Sequence, residues 1–165
     1  MRSSKFLRSV PGRFEVISGD SPAMVVVDYA HTPDGIGTVI ETARTLTSGR
    51  VVVVFGAGGD RDRGKRPLMG QAASTADLVI ITNDNPRSEI PESIIAEVMA
   101  GVDHPAAMAI VDRTKAIATA LESAGSGDIV LILGKGHEIT QEIGDQFYPF
   151  SDQEIARRQL AEQRG

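Results

Sequence analysis

Cysteine is missing from the 165 residues, so neither a disulfide framework nor a thiolate metal site is available. The three histidines, His31, His104 and His137, have no closely spaced ligand partners, and no metal site is expected. No apolar run approaches the roughly 20 residues of a membrane span. No segment joins a charged start, a long apolar middle and a small-residue cleavage site, so no signal peptide is read and a cytoplasmic location is the expectation. Excess positive charge is lacking too. The net charge of −5 argues against a general nucleic-acid binder, and no membrane partner is expected. Internal repeats and low-complexity segments are also absent.

What is present is ordinary globular composition, 41% hydrophobic and 24% charged, in a length that suits one domain with its own core. Apolar runs at Phe14–Ile17, Met24–Tyr29, Val51–Phe55, Leu78–Thr82, Ala107–Val111 and Asp128–Leu133 read as strands. The first two, with Ser18-Gly19-Asp20-Ser21-Pro22 between them, read as a hairpin. Between the later runs lie helical periods over Thr32–Thr47, Pro67–Ala76, Ile90–Val102 and Arg113–Ala124, with Thr32 and Asp112 as caps. Ile139–Phe150 reads as a hairpin around Gly144-Asp145, and Ser151–Glu154 opens a last helix with a capping-box pattern. This alternation predicts an α/β fold: a three-layer, Rossmann-like open sheet, mostly parallel, of about six strands with helices on both faces. Residues 1–10 are basic and irregular, and read as a linker or an expression remnant; the domain is expected over 11–165.

In such a sheet, ligands bind beyond the carboxyl ends of the strands. Four polar clusters occupy that rim: Asp28–Asp34, Gly56–Arg66, Asn83–Arg87 and Gly134–Glu138. Asn83-Asp84-Asn85-Pro86-Arg87 is poor core material but suits a small zwitterion, with Arg87 for a carboxylate and Asp84 and Asn85 for an ammonium. Gly59–Lys65 has the phosphate-loop spacing, yet residue 66 is Arg where a magnesium-binding hydroxyl belongs, and the residues between the glycines are charged. The loop is therefore expected to offer side chains, Arg61 first, to a carboxylate. The glycines of Gly134-Lys135-Gly136 either let backbone approach a ligand or only turn the chain. Glu138 suits an ammonium. Asp28 suits a ribose hydroxyl or a magnesium-bound water, or else caps the next helix. His31 suits a phosphate or orders its loop, and His137 is equally well a structural residue.

Arg13 within Pro11–Glu15, DYAHTPD at Asp28–Asp34, GGDRDRGKRPLM at Gly58–Met69, DNPR at Asp84–Arg87 and GKGHE at Gly134–Glu138 together resemble the C-terminal domain of Mur ligases, in their diaminopimelate-adding branch. The match covers nearly all of residues 11–160, in order. The resemblance implies an ADP-forming amide ligase of peptidoglycan synthesis that joins meso-diaminopimelate to UDP-N-acetylmuramoyl-L-alanyl-D-glutamate through an acyl phosphate. It implies that Arg61, Asp84, Asn85, Pro86, Arg87, Gly134 and Glu138 hold diaminopimelate, and that Arg13, Asp28 and His31 face ATP. ATP and Mg2+ are implied as cofactors, held mainly by a central domain absent from these residues, as is the UDP-binding domain. By this likeness the chain alone is expected to be inactive. A related ligase adding lysine or another amino acid, and a non-catalytic amino-acid-binding module, are the alternatives. Arg87 favours diaminopimelate, whose second carboxylate lysine lacks.

Overall fold

The computed structural model of the chain describes residues 12–17 and 22–164. Residues 18–21 of the turn expected at 18–22, and the linker expected at 1–10, lie outside them. Among the described residues, eight strands and five helices follow in chain order: β1 Glu15–Ile17, β2 Met24–Asp28, α1 Pro33–Leu46, β3 Val51–Phe55, α2 Lys65–Ala73, β4 Leu78–Ile81, α3 Pro91–Met99, β5 Ala107–Ala109, α4 Arg113–Ser123, β6 Ile129–Leu133, β7 Thr140–Ile143, β8 Gln146–Pro149 and α5 Asp152–Arg164. The expected α/β sandwich is borne out. Six strands form one sheet in the order β1-β2-β6-β3-β4-β5, parallel except for β1, which runs antiparallel to β2. β7 and β8 form a separate hairpin.

Strand periodicity sorts the core into two layers. Val51, Val53 and Phe55 of β3 and Ile129, Leu131 and Leu133 of β6 face one side, where Ile36, Ile40, Met69, Ile94 and Val98 of α1–α3 cover them. Val52, Val54, Val130 and Ile132 face the other side, under Ile117 and Leu121 of α4 and Ile155 and Leu160 of α5. With both faces covered, the central strands are buried throughout, which explains their unbroken apolar runs. The chain steps outward from β2 to β5 with α1–α3 on one face, then returns through α4 to insert β6 between β2 and β3. A right-handed crossover in the opposite direction must place its helix on the opposite face, so the reversal decides which layer α4 joins.

Local chemistry sets the helix starts. Thr32 Oγ1 accepts the Gly35 N–H at 3.0 Å and Asp112 Oδ1 accepts the Lys115 N–H at 3.2 Å, as expected of caps. Half of the last capping box forms: Glu154 N–H donates to Ser151 Oγ at 3.2 Å. Helix α2 begins earlier than the sequence pattern predicts. Asp62 accepts the Gly64 N–H on its side chain and the Lys65 N–H on its carbonyl, which closes a turn ahead of Pro67. Pro67 is tolerated because first-turn N–H groups have no intrahelical partner. Among the described residues no helix is long and apolar enough to cross a membrane.

Candidate functional site

The loops after β2, β3, β4 and β6 meet over a cavity of about 390 Å³ at the carboxyl edge of the sheet. That size lies at the low end of the roughly 300–1,000 Å³ usual for small-molecule sites. Insertion of β6 between β2 and β3 brings together loops that are far apart in sequence. Tyr29, His31 and Thr32 come from the first loop, and Gly56–Gly58, Arg61, Asp62, Lys65 and Arg66 from the second segment. Asp84, Asn85 and Arg87 come from the third loop, and Gly134 and Glu138 from the fourth. Of the residues expected to hold an amino acid, Arg61, Asp84, Asn85, Arg87, Gly134 and Glu138 therefore share one cavity. Pro86 does not line it. It is buried beneath, packed so tightly on Gly59 that a Cβ there would collide with the Pro86 carbonyl. The glycine loop and the DNPR loop are thus locked as a pair, and the Gly59 N–H donates to the Asn85 carbonyl at 2.7 Å.

Arg61 is exposed on the rim, and Nη1 donates to its neighbour's carbonyl, Asp60 O. Arg87 is half-buried. Nε donates to Glu142 Oε1 at 3.0 Å and Nη1 to Gly59 O at 2.9 Å. Asn85 differs from its expected role. Its Oδ1 already accepts from Lys135 Nζ at 3.1 Å and from the Glu142 N–H at 2.9 Å. Both partners are obligate donors, so the side-chain NH2 is left for a ligand, and that group suits a carboxylate rather than an ammonium.

Lys135, treated in the sequence only as a spacer between two glycines, is fully buried. Its ammonium also donates to Thr140 O at 2.8 Å and lies 3.4 Å from Asp84 Oδ1 and 3.7 Å from Glu138 Oε1. It therefore holds both expected acceptor carboxylates near one point. Asp84 Oδ1 is buried with no hydrogen bond, so the pairing with Lys135 is ionic only. Of the flanking glycines, Gly134 lines the cavity at φ 114°, whereas Gly136, at φ 56°, packs on the Tyr29 side chain. One glycine opens the site and the other fastens two loops.

The loop Gly59–Lys65 does not fit a phosphate. Several of its amides are already taken: Asp60 N–H by Glu89 Oε2 at 2.6 Å, and Gly64 and Lys65 by Asp62. Arg66, at the place where a magnesium-binding hydroxyl would stand, is only 1% exposed. It forks onto Glu89 at 2.8 and 3.0 Å, reaches Glu97 at 3.0 Å and donates to Gly58 O at 2.9 Å. The hydrogen bond from Arg66, and after it that from the Asp60 amide, holds the Glu89 carboxyl down at about 2. Arg63 pairs with Glu97 rather than facing the cavity.

The residues expected to face ATP separate. Arg13 sits 5.6 Å from the centroid of the Tyr29 ring, and His31 meets the same ring edge-on at 4.8 Å, so they form one aromatic and cationic margin. Of these, Tyr29 and His31 line the cavity. The Asp28 carboxylate is taken by the Phe14 N–H at 2.6 Å and the Ala30 N–H at 2.8 Å, and Asp28 lies outside the lining. It orders the loop, and the helix cap it was an alternative for is Thr32. His137 is exposed outside the cavity, and His104 Nδ1 accepts the Ala106 N–H.

Residues 12–136 match the family described as "Mur ligase, glutamate ligase domain". The chain belongs to this Mur ligase family. Among curated relatives, this Mur ligase domain is similar to UDP-N-acetylmuramoyl-L-alanyl-D-glutamate–2,6-diaminopimelate ligase of Aquifex aeolicus (strain VF5), 52% identical over 154 residues. That match covers 92% of the chain and 32% of the relative. The enzyme of the same name from Coxiella burnetii (strain RSA 493 / Nine Mile phase I) is 49% identical, with 93% and 32% covered. A solved structure of a ligase with that name superposes at TM-score 0.88 with 47% identity, covering 94% of this chain and 32% of that one. A folylpolyglutamate synthase/dihydrofolate synthase from Yersinia pestis, at TM-score 0.61 and 23% identity, shares the fold. This Mur ligase domain spans about a third of the length of these curated relatives.

Proposed function

We propose that this domain is the amino-acid-binding and closing part of an ADP-forming ligase that adds meso-diaminopimelate to UDP-N-acetylmuramoyl-L-alanyl-D-glutamate in peptidoglycan synthesis. The names of its relatives supply the reaction, and the convergence of Arg61, Arg87, Asp84, Asn85 and Glu138 on one small cavity carries the reading. Two guanidinium groups and the Asn85 NH2 are suited to carboxylates. Asp84 and Glu138, gathered by Lys135, are suited to an ammonium. A diamino dicarboxylic acid matches this donor and acceptor set; lysine leaves the Arg87 fork empty.

The domain's contribution to catalysis in this reading is positioning. Holding the amino acid so that its free amine meets an activated carboxyl in attack geometry is worth up to about 7–11 kcal/mol. Closure of the rim excludes water that would otherwise consume the acyl phosphate. ATP supplies the phosphoryl group that activates the carboxyl. Among the described residues the margin of Arg13, Tyr29 and His31 fits one side of the nucleotide. Asp28 supports that margin from behind, and Mg2+ and the phosphates belong to the remaining two-thirds of the longer protein.

Calorimetric titration of the 165-residue chain with meso-diaminopimelate and with lysine tests this. Diaminopimelate is expected to bind more tightly, and Arg87→Lys to remove about 1–3 kcal/mol of that affinity, the scale of a charged hydrogen bond. Equal affinity for the two amino acids, or an Arg87→Lys chain that binds diaminopimelate as the wild type does, would refute the assignment.

A further inference from the structure

The β7–β8 hairpin lies beyond the family's matched residues 12–136, yet it is hydrogen-bonded to Asp84, Asn85 and Arg87 of the DNPR loop. Gln141 Nε2 donates to Asp84 O at 2.6 Å, and the Glu142 N–H to Asn85 Oδ1 at 2.9 Å. The Arg87 N–H donates to Glu142 O at 3.1 Å, and the Gly144 N–H to Arg87 O at 2.7 Å. Arg87 itself sits at φ 51°, in the left-handed region that a non-glycine residue occupies only when its surroundings impose it. The two backbone bonds from the hairpin are that imposition. The Glu142 carboxylate then takes Nε of the same residue.

A guanidinium has five N–H donors and two forks that a carboxylate can meet in bidentate fashion, one across Nε and an Nη, the other across the two Nη groups. Glu142 occupies Nε and Gly59 O takes one hydrogen of Nη1. Among the described residues Nη2 has no hydrogen-bond partner. The fork across Nε is closed, and Nη2 with one hydrogen of Nη1 is left for a ligand. The geometry points to Glu142 as a positioning residue, which holds Nε and leaves the Nη2 end of Arg87 for the cavity, and so sets selectivity for an amino acid with a distal carboxylate. The inference rests on the reading of the cavity as an amino-acid site. Glu142 also keeps the half-buried cation paired while the site is empty, so orienting it costs the ligand nothing on arrival.

The test compares meso-diaminopimelate and lysine binding to the 165-residue chain in wild type, Glu142→Ala, Glu142→Gln, Arg87→Ala and the double variant Glu142→Ala/Arg87→Ala, with circular dichroism as the fold control. Glu142→Ala is expected to weaken diaminopimelate binding about tenfold, the scale of one charge-assisted hydrogen bond, with lysine binding unchanged. Glu142→Gln, which keeps an acceptor for Nε, restores most of the preference. In the Arg87→Ala background the Glu142 substitution adds nothing, because its effect passes through the guanidinium. Equal loss for both amino acids in Glu142→Ala marks a merely structural role and overturns the inference. Tighter diaminopimelate binding marks Glu142 as a competitor of the ligand and also overturns it. A wild type without preference removes the cavity reading and this inference together; a wild-type preference that survives in Glu142→Ala removes this inference alone.

Discussion

At the scale of single residues, the side chains that a sequence reader singles out are those with no business in a core. Arg61, Asp84, Arg87 and Glu138 follow apolar runs, and charge at the end of a buried strand is legible as a site. Lys135 was not legible as a hub, because a lysine between two glycines looks solvated until its stem is placed. It is instead fully buried, with Asp84, Asn85, Glu138 and Thr140 around it. Removing the charge while keeping the stem, as in Lys135→Met, leaves Asp84 buried without a counter-ion. We expect a loss of about 3–5 kcal/mol in urea unfolding, the usual consequence of deleting one partner of a buried pair. A loss below about 1 kcal/mol would show that the Lys135 charge is not needed to hold Asp84 in place.

Among elements, caps and strands were readable because their causes are local: Thr32 and Asp112 each bond an amide three residues on. The start of α2 was not, since an Asp62 turn extended it past the apparent stop at Pro67. Nor was the tie between α4 and α5. Arg113, at the start of α4, is fully buried, forked onto Asp152 at 2.7 and 2.9 Å, and donates to Asn83 O and Leu133 O at 3.0 Å each. It fastens the carboxyl ends of β4 and β6, from which the DNPR and Gly134 loops leave. Arg113→Met should destabilise the chain by about 3–5 kcal/mol, and Arg113→Met/Asp152→Leu by clearly less, because the second change removes the stranded carboxylate. Chemical denaturation of the two variants decides; a double variant no more stable than the single one would count against the pair acting as a unit.

Across the whole molecule, several carboxylates are held below their ordinary range by partners that only the fold supplies. The Arg66 hydrogen bond takes Glu89 from 4.5 to about 2, Arg63 and then Arg66 lower Glu97, and the Gly125 and Arg50 amides lower Asp128. A carboxyl whose folded value lies below its unfolded one binds more protons when unfolded, so its stabilisation is complete above about 4.5 and is lost as the pH falls toward 2. The melting temperature is therefore expected to stay level from pH 7 to about 5 and to fall steeply below, with a shallower acid limb in Glu89→Gln. A wild-type melting temperature still level at pH 2.5, or an unchanged limb in that variant, would contradict it. Because Glu89 bridges Arg66 to the Asp60 amide, the same acid range should loosen the glycine-loop wall of the cavity.

Taken alone, the order of residues determined the layers and the rim: alternating apolar runs and helical periods demand a covered parallel sheet, and polar clusters after strands must then fall on its carboxyl edge. Those are short-range consequences of periodicity and burial. Only the tertiary structure decided which clusters meet. Insertion of β6 between β2 and β3 brings Gly134 and Glu138 to the cavity of Arg61 and Arg87, and the return of β7 against residues 84–87 occupies the Asn85 Oδ1 and one fork of Arg87. Such pairings join residues some fifty positions apart, as Lys135 and Asn85 are. They depend on the direction of each crossover and on which donors are already spent, and no local window of sequence carries that information.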